Sequence, residues 1–474
     1  MRSRTDSPDL HWLSAREAAR LIRRKRLSPV ELTRACLERS DALNSTLNAY
    51  IALYPEAALQ EARRLESEAQ RGAWRGPLHG VPIALKDIFH TAGLPTTVGS
   101  RILCTHTPQE DALVVRRLKE AGAILLGKLN LHEFAYGITT TNPHYGATRN
   151  PWDTSRIPGG SSGGSGAALA AGMCPLSLGT DTGGSIRIPA ALCGIVGLKP
   201  TYGRVSRRGV FPLAWSLDHV GPMARTVEDL ALLLSVIAGY DPVDPASASH
   251  PVPNYLDGLT RGVEGLVLGV LGGDTFGLMD TDVETAFATA LHTLEGLGAR
   301  IEEVTWEGAE ALPGAHLTIL MAEASAIHQR WVRERPLDYG EDVRLRLVAG
   351  MALPGTLYLK AHQVRRTAIQ TVLSLLQKVD ALLLPTCPVP APPIGAERVT
   401  IAGRSVDVRT ALTRFVSPFN LTGLPALSVP CALSHEGLPI GLQIVGRPFE
   451  EATILRVGYA LEQILPDRTR RPPL

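Results

Sequence analysis

The hydrophobic pattern at the start of the chain is helical. Two stretches within roughly the first 45 residues each open on a capping-box pattern, with serine followed three positions later by glutamate, at Ser14 and Glu17 and again at Ser28 and Glu31. Pro29 occupies the first position of the second helix, where its missing N–H loses no hydrogen bond. The sequence therefore predicts two helices that form an N-terminal helical arm.

From Gly80 onward, short apolar runs alternate with helical stretches. Buried strands are predicted over 80–86 and 123–127, with a helix over 111–121 between them. A second unit has strands at 266–271 and 300–304 on either side of a helix over 282–297 that Gly298 closes. Strands connected through a helix in this way run parallel. The pattern is typical of an α/β fold.

The rest of the chain mixes both periodicities. The remaining elements are predicted as a mostly helical segment, a buried strand, a proline-rich loop, two strands joined by a turn at Gly437, and a last helix, at 310–377, 379–384, 385–395, 426–431, 441–445 and 450–465. The sequence shows no internal repeat, Gly/Ser linker or charge run that would divide it. One large α/β domain is therefore favoured over the several that the length alone suggests.

Composition narrows the function classes. The chain has 474 residues, 45% hydrophobic and 20% charged, as in ordinary globular proteins. Its net charge of +2 is spread along the sequence, so no nucleic-acid partner is indicated. The N-terminus lacks the apolar core of a secretion signal, and no apolar run reaches the roughly 20 residues of a membrane span. With six widely spaced cysteines, a reduced cytoplasmic protein without membrane contact is expected.

The most unusual segment is rich in glycine and serine. It contains Pro158-Gly-Gly-Ser-Ser162-Gly-Gly-Ser-Gly166 and, after a small-residue helix and a short strand, Gly179-Thr-Asp-Thr-Gly-Gly-Ser185. Glycine lets the backbone approach a ligand and direct consecutive N–H groups at one atom, as an oxyanion hole requires. These two loops therefore mark the candidate site.

Ser185 is the candidate nucleophile. Pro189 follows it closely and suits the first turn of a helix, so Ser185 is predicted at a helix N-terminus. There the helix dipole and the free N–H groups of Thr182, Gly183 and Gly184 would favour an alkoxide and the oxyanion that it creates. A plain helix-capping role for Ser185 remains the alternative, because serine is common at that position.

Lys86 is the candidate base. No histidine falls in either loop, whereas Lys86, one of only seven lysines, ends the apolar run Val81-Pro-Ile-Ala-Leu85. Burial disfavours the ammonium form, and a neutral amine can accept a serine proton. The alternatives are an ion pair with the adjacent Asp87 or a side chain that reaches solvent.

Other serine and phosphate chemistries are less well supported. Gly160-Ser-Ser162-Gly-Gly164 matches a G-x-S-x-G nucleophile elbow with Ser162 as nucleophile, but the nearest acid and base, Asp218 and His219, are adjacent and poorly suited to one triad. The S-x-x-K pattern of penicillin-recognising enzymes fails at every lysine, and no G-K-[ST] phosphate loop follows the glycines. An α/β-hydrolase stays open as the weaker alternative.

Taken together, these segments closely resemble the amidase signature family. Its hallmark is a pair of segments like Gly159-Gly-Ser-Ser-Gly-Gly-Ser165 and Gly179-Thr-Asp-Thr-Gly-Gly-Ser-Ile-Arg187. The other matching segments are 27–32, 80–87, 148–153, 194–200, 217–222, 420–430 and 437–443. The resemblance therefore covers nearly the whole chain.

The resemblance implies a fold and a reaction. The expected fold is a large mixed β-sheet sandwiched between helices, as one domain over 1–474. Its parts would be a helical arm over 1–70, a catalytic core over 71–245 and a C-terminal part over 260–474 that completes the sheet and the substrate pocket. The expected reaction is hydrolysis of a carboxylic amide to an acid and ammonia or an amine through an acyl-enzyme.

It also implies residue roles. Ser185 would attack the carbonyl, Ser161, preceded by a cis peptide bond, would relay the proton, and Lys86 would be the final base. The oxyanion hole is expected from the backbone N–H groups of Thr182, Gly183, Gly184 and Ser185. Three side chains are expected to orient the loops: Ser162, Asp181 and Arg187. No metal or organic cofactor is implied.

Within the family, the sequence favours a free-standing amidase over the glutaminase component of a tRNA-dependent amidotransferase. Such components usually carry glutamine where this chain has Ile188, and an acid where 411–420 has none. A small-molecule amide is the expected partner, and a homodimer is compatible with the resemblance. The substrate-selecting side chains are expected around 132–142 and 321–351, after Cys387, and before Asn420.

Overall fold

A computed structural model describes residues 9–273, 275–465 and 470–474. Residues 1–8, which begin the stretch on which the prediction of no secretion signal rests, lie outside the described residues. The α-helices are α1 Ala15–Arg23, α2 Pro29–Leu47, α3 Pro55–Gln70, α4 Leu113–Glu120, α5 Gly163–Ala170, α6 Arg187–Cys193, α7 Val227–Ile237, α8 Thr281–Gly296, α9 Leu312–Glu334, α10 Glu341–Met351, α11 Gly355–Leu376, α12 Val408–Thr413, α13 Ser417–Thr422 and α14 Glu451–Ile464. The strands are β1 Tyr50–Leu53, β2 Pro82–Lys86, β3 Ile124–Leu129, β4 Thr141–Asn142, β5 Gly146–Ala147, β6 Leu176–Asp181, β7 Val196–Lys199, β8 His219–Ala224, β9 Val267–Leu271, β10 Arg300–Val304, β11 Ala381–Pro385, β12 Arg398–Ile401, β13 Arg404–Asp407, β14 Ala426–Leu433 and β15 Pro439–Val445.

The two N-terminal helices are confirmed, with the predicted caps. The Ser14 hydroxyl accepts a hydrogen bond from the Glu17 N–H at 3.1 Å, and Ser28 and Glu31 form a reciprocal capping box at the start of α2. The buried faces of both helices, including Ala18, Ile22 and Leu32, share a hydrophobic cluster with the sheet residue Ala84. The helical arm therefore packs directly on one face of the sheet.

A large mixed sheet forms the centre of the fold, as expected. Among the described residues it has eleven strands in the order β1-β3-β2-β6-β8-β7-β14-β15-β11-β9-β10. Ile83 and Leu85 of β2 face one hydrophobic cluster, whereas Ala84 between them faces the other. This alternation shows that both faces of the sheet are covered, because neighbouring residues of a strand point to opposite sides.

Both predicted strand–helix–strand units are parallel. β2 pairs with β3, and β9 pairs with β10 through the crossover helix α8. The strand at 379–384 was predicted two residues early, since β11 is Ala381–Pro385. Between 426 and 445 the sequence predicted two strands, and the structure has β14 and β15 paired antiparallel around the Gly437 turn.

Several elements were not predicted from the pattern. They are β1, α3, β7, β8, α7, the short β4–β5 pair, the β12–β13 hairpin and the short helices α12 and α13. β8 carries Gly221 and Pro222, which are typical of turns, but it is completely buried between β6 and β7. Tertiary packing therefore decides its conformation.

The parallel pairing of β2 with β6 positions the candidate site. Ile83, Ala84 and Leu85 lie opposite Leu176, Ser177 and Leu178, in the same direction. Lys86 ends β2 and Asp181 ends β6, so both side chains lie at the carboxyl edge of the sheet, where α/β proteins place their sites. Within the described residues, no helix combines the length and apolarity that a bilayer crossing needs.

Candidate active site

Lys86 is completely buried at the end of β2. Its Nζ lies 2.7 Å from Oγ of Ser161 and 2.8 Å from Oγ1 of Thr180. Burial lowers the pKa of Lys86 from 10.5 to about 7, although the charges of Asp181 and Asp218 oppose this shift. A large fraction of Lys86 is therefore neutral near pH 7, and a neutral amine at this distance can accept a hydroxyl proton.

The alternative ion pair between Lys86 and Asp87 is wrong. Oδ1 of Asp87 lies 2.9 Å from Nζ of Lys128, in a pair that is almost entirely buried. The other oxygen, Oδ2, accepts hydrogen bonds from the N–H and the hydroxyl of Thr97 at 2.9 and 2.6 Å. Asp87 is thus fully engaged away from the catalytic side, and it leaves Lys86 without a carboxylate partner.

Ser161 lies in the first glycine-rich loop. The peptide bond between Gly160 and Ser161 is cis, and the Ser161 carbonyl accepts a hydrogen bond from the His132 N–H at 3.2 Å. The next residue, Ser162, ties the loop to β6, since its buried hydroxyl donates to the Thr180 carbonyl at 3.3 Å. Both backbone and side-chain contacts therefore hold the Ser161 hydroxyl against Lys86.

Ser185 lies in the second loop and lines a cavity that holds no other candidate nucleophile of the two loops. Its carbonyl accepts a hydrogen bond from the Ser162 N–H at 3.2 Å, which joins the two loops. Within the described part of the chain its hydroxyl has no hydrogen-bond partner, Ser161 included. Contacts between reacting groups commonly tighten only when substrate binds. The structure thus brings Lys86 and Ser161 into direct contact, and it joins Ser185 to them through the backbone.

The helix-capping alternative for Ser185 is wrong. Helix α6 begins at Arg187, its N-cap residue is Ile186, and no side-chain capping bond is made there. Ser185 therefore lies just ahead of the helix, with its side chain facing the cavity instead of the helix end. A serine in this place is available for chemistry.

The structure corrects one of the four expected oxyanion-hole donors. The Gly184 N–H donates to Oδ1 of Asp181 at 2.7 Å, so it is not free for substrate. The N–H groups of Thr182, Gly183 and Ser185 meet no acceptor in the described residues. Gly184 is required for its conformation instead, because it has φ +118° and a Cβ there would overlap Val416 and Ile188.

Asp181 and Arg187 hold the second loop in place through a buried ion pair. Both nitrogens Nε and Nη2 of Arg187 donate to Asp181, at 3.0 and 2.9 Å. Burial would raise the pKa of Asp181, but the charge and hydrogen bonds of Arg187, followed by the amide of Asn420, lower it below its usual range. Arg187 also donates to Oδ1 of Asn420 and Oε1 of Gln443, each at 2.6 Å. The loop is therefore anchored to β15 and α13.

His316 of α9 fixes the peptide next to the expected oxyanion donors. Its Nε2 donates to the Thr182 carbonyl at 2.8 Å, and burial lowers its pKa to about 4, so the ring is neutral. In a trans peptide the C=O and N–H point in opposite directions. The bond from His316 therefore directs the Gly183 N–H to the other side of this peptide.

A cavity of about 850 Å³ adjoins Ser185, within the size range of small-molecule sites. Its lining residues come from the loop after β3, from the second glycine-rich loop, from α9 and from the segment around α12: Ala135, Tyr136, Gly137, Ile138, Thr182, Gly183, Ser185, Leu213, Thr275, Glu310, Pro313, Gly314, His316, Leu317, Leu320, Arg346, Asp407, Arg409, Thr410, Thr413, Arg414 and Ser417. The cavity therefore leads from the outer helices to the candidate nucleophile.

Residues 31–455 match the family model described as Amidase. The chain belongs to the amidase family. It is 44% identical to the glutaminase component of the glutamyl-tRNA(Gln) amidotransferase from Chloroflexus aggregans, over 98% of this chain and 99% of that protein, and 44% identical to an amidase from Pseudomonas putida, over 98% of each. A solved structure of an amidase superimposes with a TM-score of 0.88 and 40% identity over 96% of this chain and 100% of the other.

Membership of the amidase family confirms the predicted fold and makes this chain an amidase-family hydrolase. The expectation that it is closer to free-standing amidases than to amidotransferase components is not confirmed. Relatives of both kinds match with the same 44% identity over almost all of the chain. The overall likeness therefore supports both alternatives.

The α/β-hydrolase alternative is wrong for this amidase-family chain. The Ser162 hydroxyl is bound to the Thr180 backbone, and the His219 Nδ1 lies 2.7 Å from the Leu217 carbonyl. Asp218 accepts a hydrogen bond from the Thr182 hydroxyl instead of orienting a histidine. These three side chains do not form a triad.

Sequence reasoning assigned no role to some residues of the site. Thr180, the second partner of Lys86, adjoined the glycine-rich loop, and Asn420 and Gln443 lay within quoted family segments, so signals for these three existed. His316 had no local signal. Of the expected substrate-selecting segments, 132–142 and the stretch before Asn420 line the cavity, 321–351 contributes only Arg346, and the loop after Cys387 contributes nothing, whereas 310–320 was missed.

Arg187 offers a first test of the loop anchor. Replacing Arg187 with methionine leaves the Asp181 carboxylate buried without its guanidinium partner, and we expect the free energy of unfolding in urea to fall by about 3–5 kcal/mol. The matched control is Arg330→Met, which removes an exposed pair with Glu334 on α9 and should change stability by less than about 0.5 kcal/mol. Equal effects of the two substitutions would contradict an anchoring role.

Proposed function

We propose that this chain hydrolyses the C–N bond of small carboxylic amides, giving an acid and ammonia or an amine, through an acyl-Ser185 intermediate. The observation that carries the proposal is the contact of 2.7 Å between the buried Lys86 Nζ and the Ser161 Oγ, in a site where burial lowers the lysine pKa to about 7. A base of this pKa is well matched to proton transfer near neutral pH.

In the proposed first step, Oγ of Ser185 attacks the amide carbonyl. Its proton passes to Ser161, and the proton of Ser161 passes to Nζ of Lys86. The negative charge that develops on the carbonyl oxygen is stabilised by the N–H groups of Thr182, Gly183 and Ser185. These donors are held ready by the loop anchor and by His316, so they need little rearrangement during the reaction.

The protonated Lys86 then returns its proton through Ser161 to the leaving nitrogen, and the C–N bond breaks. Water attacks the acyl-enzyme by the same route in reverse, with Lys86 again accepting the proton and Ser185 regaining it. Atoms balance over the cycle, since one water adds across the amide bond. All proton transfers are assigned to side chains of this chain, without a metal or organic cofactor.

A second candidate function is that of the glutaminase component of a tRNA-dependent amidotransferase. The 44% identity to such a component over almost the whole chain favours it. Against it stand Ile188 and the absence of an acid in 411–420, where the cavity wall carries Thr413 and Arg414. An ammonium group on the substrate would therefore lack the carboxylate that the family resemblance led us to expect there.

Both candidate functions require the whole length of the chain. Lys86 lies on β2, whereas the side chains that hold the second loop lie on α13 and β15, and the cavity wall includes α9 and α12. This distribution supports our inference that residues 1–474 form a single amidase domain.

Release of ammonia or amine from a panel of amides separates the two functions. The panel contains aliphatic amides, acetanilide, amino-acid amides and glutamine, tested with the isolated chain and with Ser185→Ala as the blank. We expect the isolated chain to turn over amides other than glutamine, because its cavity is complete without a partner. Turnover of glutamine alone, or no turnover of any amide without an added partner, would instead support the amidotransferase function.

A further inference from the structure

Arginine side chains line one part of the cavity that leads to Ser185. They are Arg346 of α10, Arg409 of α12 and Arg414, which follows α12. The acids that line the same cavity are Glu310 and Asp407. Glu310 is exposed at the rim. The inner wall therefore carries more positive than negative charge.

Two of these charges already have partners within the protein. Nη2 of Arg346 donates to Asp342 at 2.9 Å, and Arg346 also donates to the Tyr136 carbonyl. Asp407 is used as the N-cap of α12, because its Oδ1 accepts hydrogen bonds from the N–H and the hydroxyl of Thr410 at 2.8 and 3.0 Å. Neither group is free to neutralise a further guanidinium.

Arg409 differs from them. Its guanidinium carbon lies 5.5 Å from the centre of the Tyr136 ring, and the guanidinium carbon of Arg346 lies at the same distance from that ring. Among the described residues, no carboxylate oxygen lies within the 4.0 Å of an ion pair with Arg409. Burial lowers the pKa of Arg409, and the charge of Arg346 adds to this effect. A largely desolvated cation without a counter-charge is unfavourable until an anion binds to it.

Arg409 also lies close to the reacting groups. Its charge contributes to the lowered pKa of His316, and His316 contacts the Thr182 carbonyl at 2.8 Å. A single imidazole ring thus separates this cation from the loop that carries Ser185. A substrate that reaches both must have an anionic group only a few bonds from its amide.

We propose that the acyl part of the substrate carries a carboxylate that binds to Arg409, so that the preferred substrates are monoamides of short dicarboxylic acids. Arginine suits this task because its planar fork matches the two oxygens of a carboxylate. An additional ammonium group next to that carboxylate is disfavoured by the surrounding guanidinium groups. This inference rests on the proposed amidase function and adds the chemical class of its substrate.

Three amides of equal chain length test the inference. Glutaramate carries a carboxylate where pentanamide has a methyl group, and glutamine is glutaramate with an added ammonium group. We expect kcat/KM to be highest for glutaramate. In Arg409→Met, the ratio of kcat/KM for glutaramate to that for pentanamide should fall about 30-fold, the typical effect of losing a charge-assisted hydrogen-bonded pair.

Two further variants make this test specific. Arg409→Lys keeps the charge without the fork and should lie between the wild type and Arg409→Met. Arg404→Met removes an exposed arginine of β13, five residues earlier on the same segment, and should leave the ratio unchanged. An unchanged ratio in Arg409→Met, or a wild-type preference for glutamine, would overturn the inference while leaving the amidase function intact.

Binding separates this inference from the proposed function. Calorimetric titration of glutaramate and pentanamide into Ser185→Ala requires no turnover. We expect measurable affinity for glutaramate only, and its loss when Arg409→Met is added. If the wild type hydrolyses no amide but this binding pattern is found, the amidase proposal fails and the anion site stands. Equal binding of the two ligands would refute the anion site.

Discussion

Replacing Ser185 with alanine is expected to reduce kcat by roughly 10⁴- to 10⁶-fold, the effect of removing the nucleophile of a serine hydrolase. The side chain is small and faces the cavity, and its hydroxyl makes no hydrogen bond within the described residues. The substitution therefore removes one reacting atom without leaving a buried group unpaired. We expect the thermal unfolding midpoint and the affinity for substrate to change little, while the rate of ammonia release from the best amide falls to near the uncatalysed level.

The matched control is Ser177→Ala. Ser177 is a buried serine of β6, and its hydroxyl contacts only the Leu178 carbonyl, at 3.4 Å. It is an equally conservative change eight residues away, so kcat should stay within about 3-fold of the wild type. A second check is trapping of the acyl-enzyme by mass spectrometry, which should add the acyl group to wild type and not to Ser185→Ala. A Ser185→Ala variant with near-native turnover would rule out Ser185 as the nucleophile.

The parts of the site that could be predicted are local in sequence. The glycine and serine loops are unusual in composition, and Ser185 follows such a loop directly, so the candidate nucleophile was visible without coordinates. Lys86 was visible because an apolar run ended in a charge. Strand–helix–strand periodicity likewise predicted β2, β3, β9 and β10, since amphipathic spacing is a local property.

The parts that could not be predicted depend on contacts between distant segments. β8 was missed because Gly221 and Pro222 mask a strand that only its neighbours make regular. His316 and Arg409 are distant in sequence from the glycine loops, and no motif marks them. The engagement of Gly184 by Asp181 was missed for a similar reason, since the direction of a backbone N–H depends on the φ angle of the folded loop.

The burial of Lys86 explains how a lysine can act as a base in this site. Strand β2 carries it into a dry environment, where the neutral amine is favoured. The adjacent Asp87 would cancel this effect if it paired with Lys86, but it is bound to Lys128 and Thr97. Two neighbouring buried charges, Asp87 and Lys128, thus neutralise each other and leave the pKa of Lys86 near 7.

Replacing Lys86 with methionine is expected to lower kcat/KM by about 10³-fold or more, since general base catalysis contributes roughly 10²- to 10⁴-fold and Lys86 acts in both half-reactions. Methionine fills a similar volume in the buried site, so the fold should be retained. Lys119→Met is the matched control, because Lys119 pairs with Asp111 on the surface and its loss should leave kcat/KM unchanged.

The pH dependence decides whether Lys86 acts as a neutral base or only as a fixed charge. Because its folded pKa is lowered to about 7, the neutral form is scarce at pH 5 and dominant at pH 9. The wild-type kcat/KM for a neutral amide should therefore rise about tenfold per pH unit below pH 7 and level off above about pH 8. The residual activity of Lys86→Met should lack this rise. A role as a fixed positive charge predicts the opposite, a loss of activity above pH 7 as the ammonium form disappears, and a wild-type profile that is flat from about pH 6 to 9 with chemistry rate-limiting would exclude both roles.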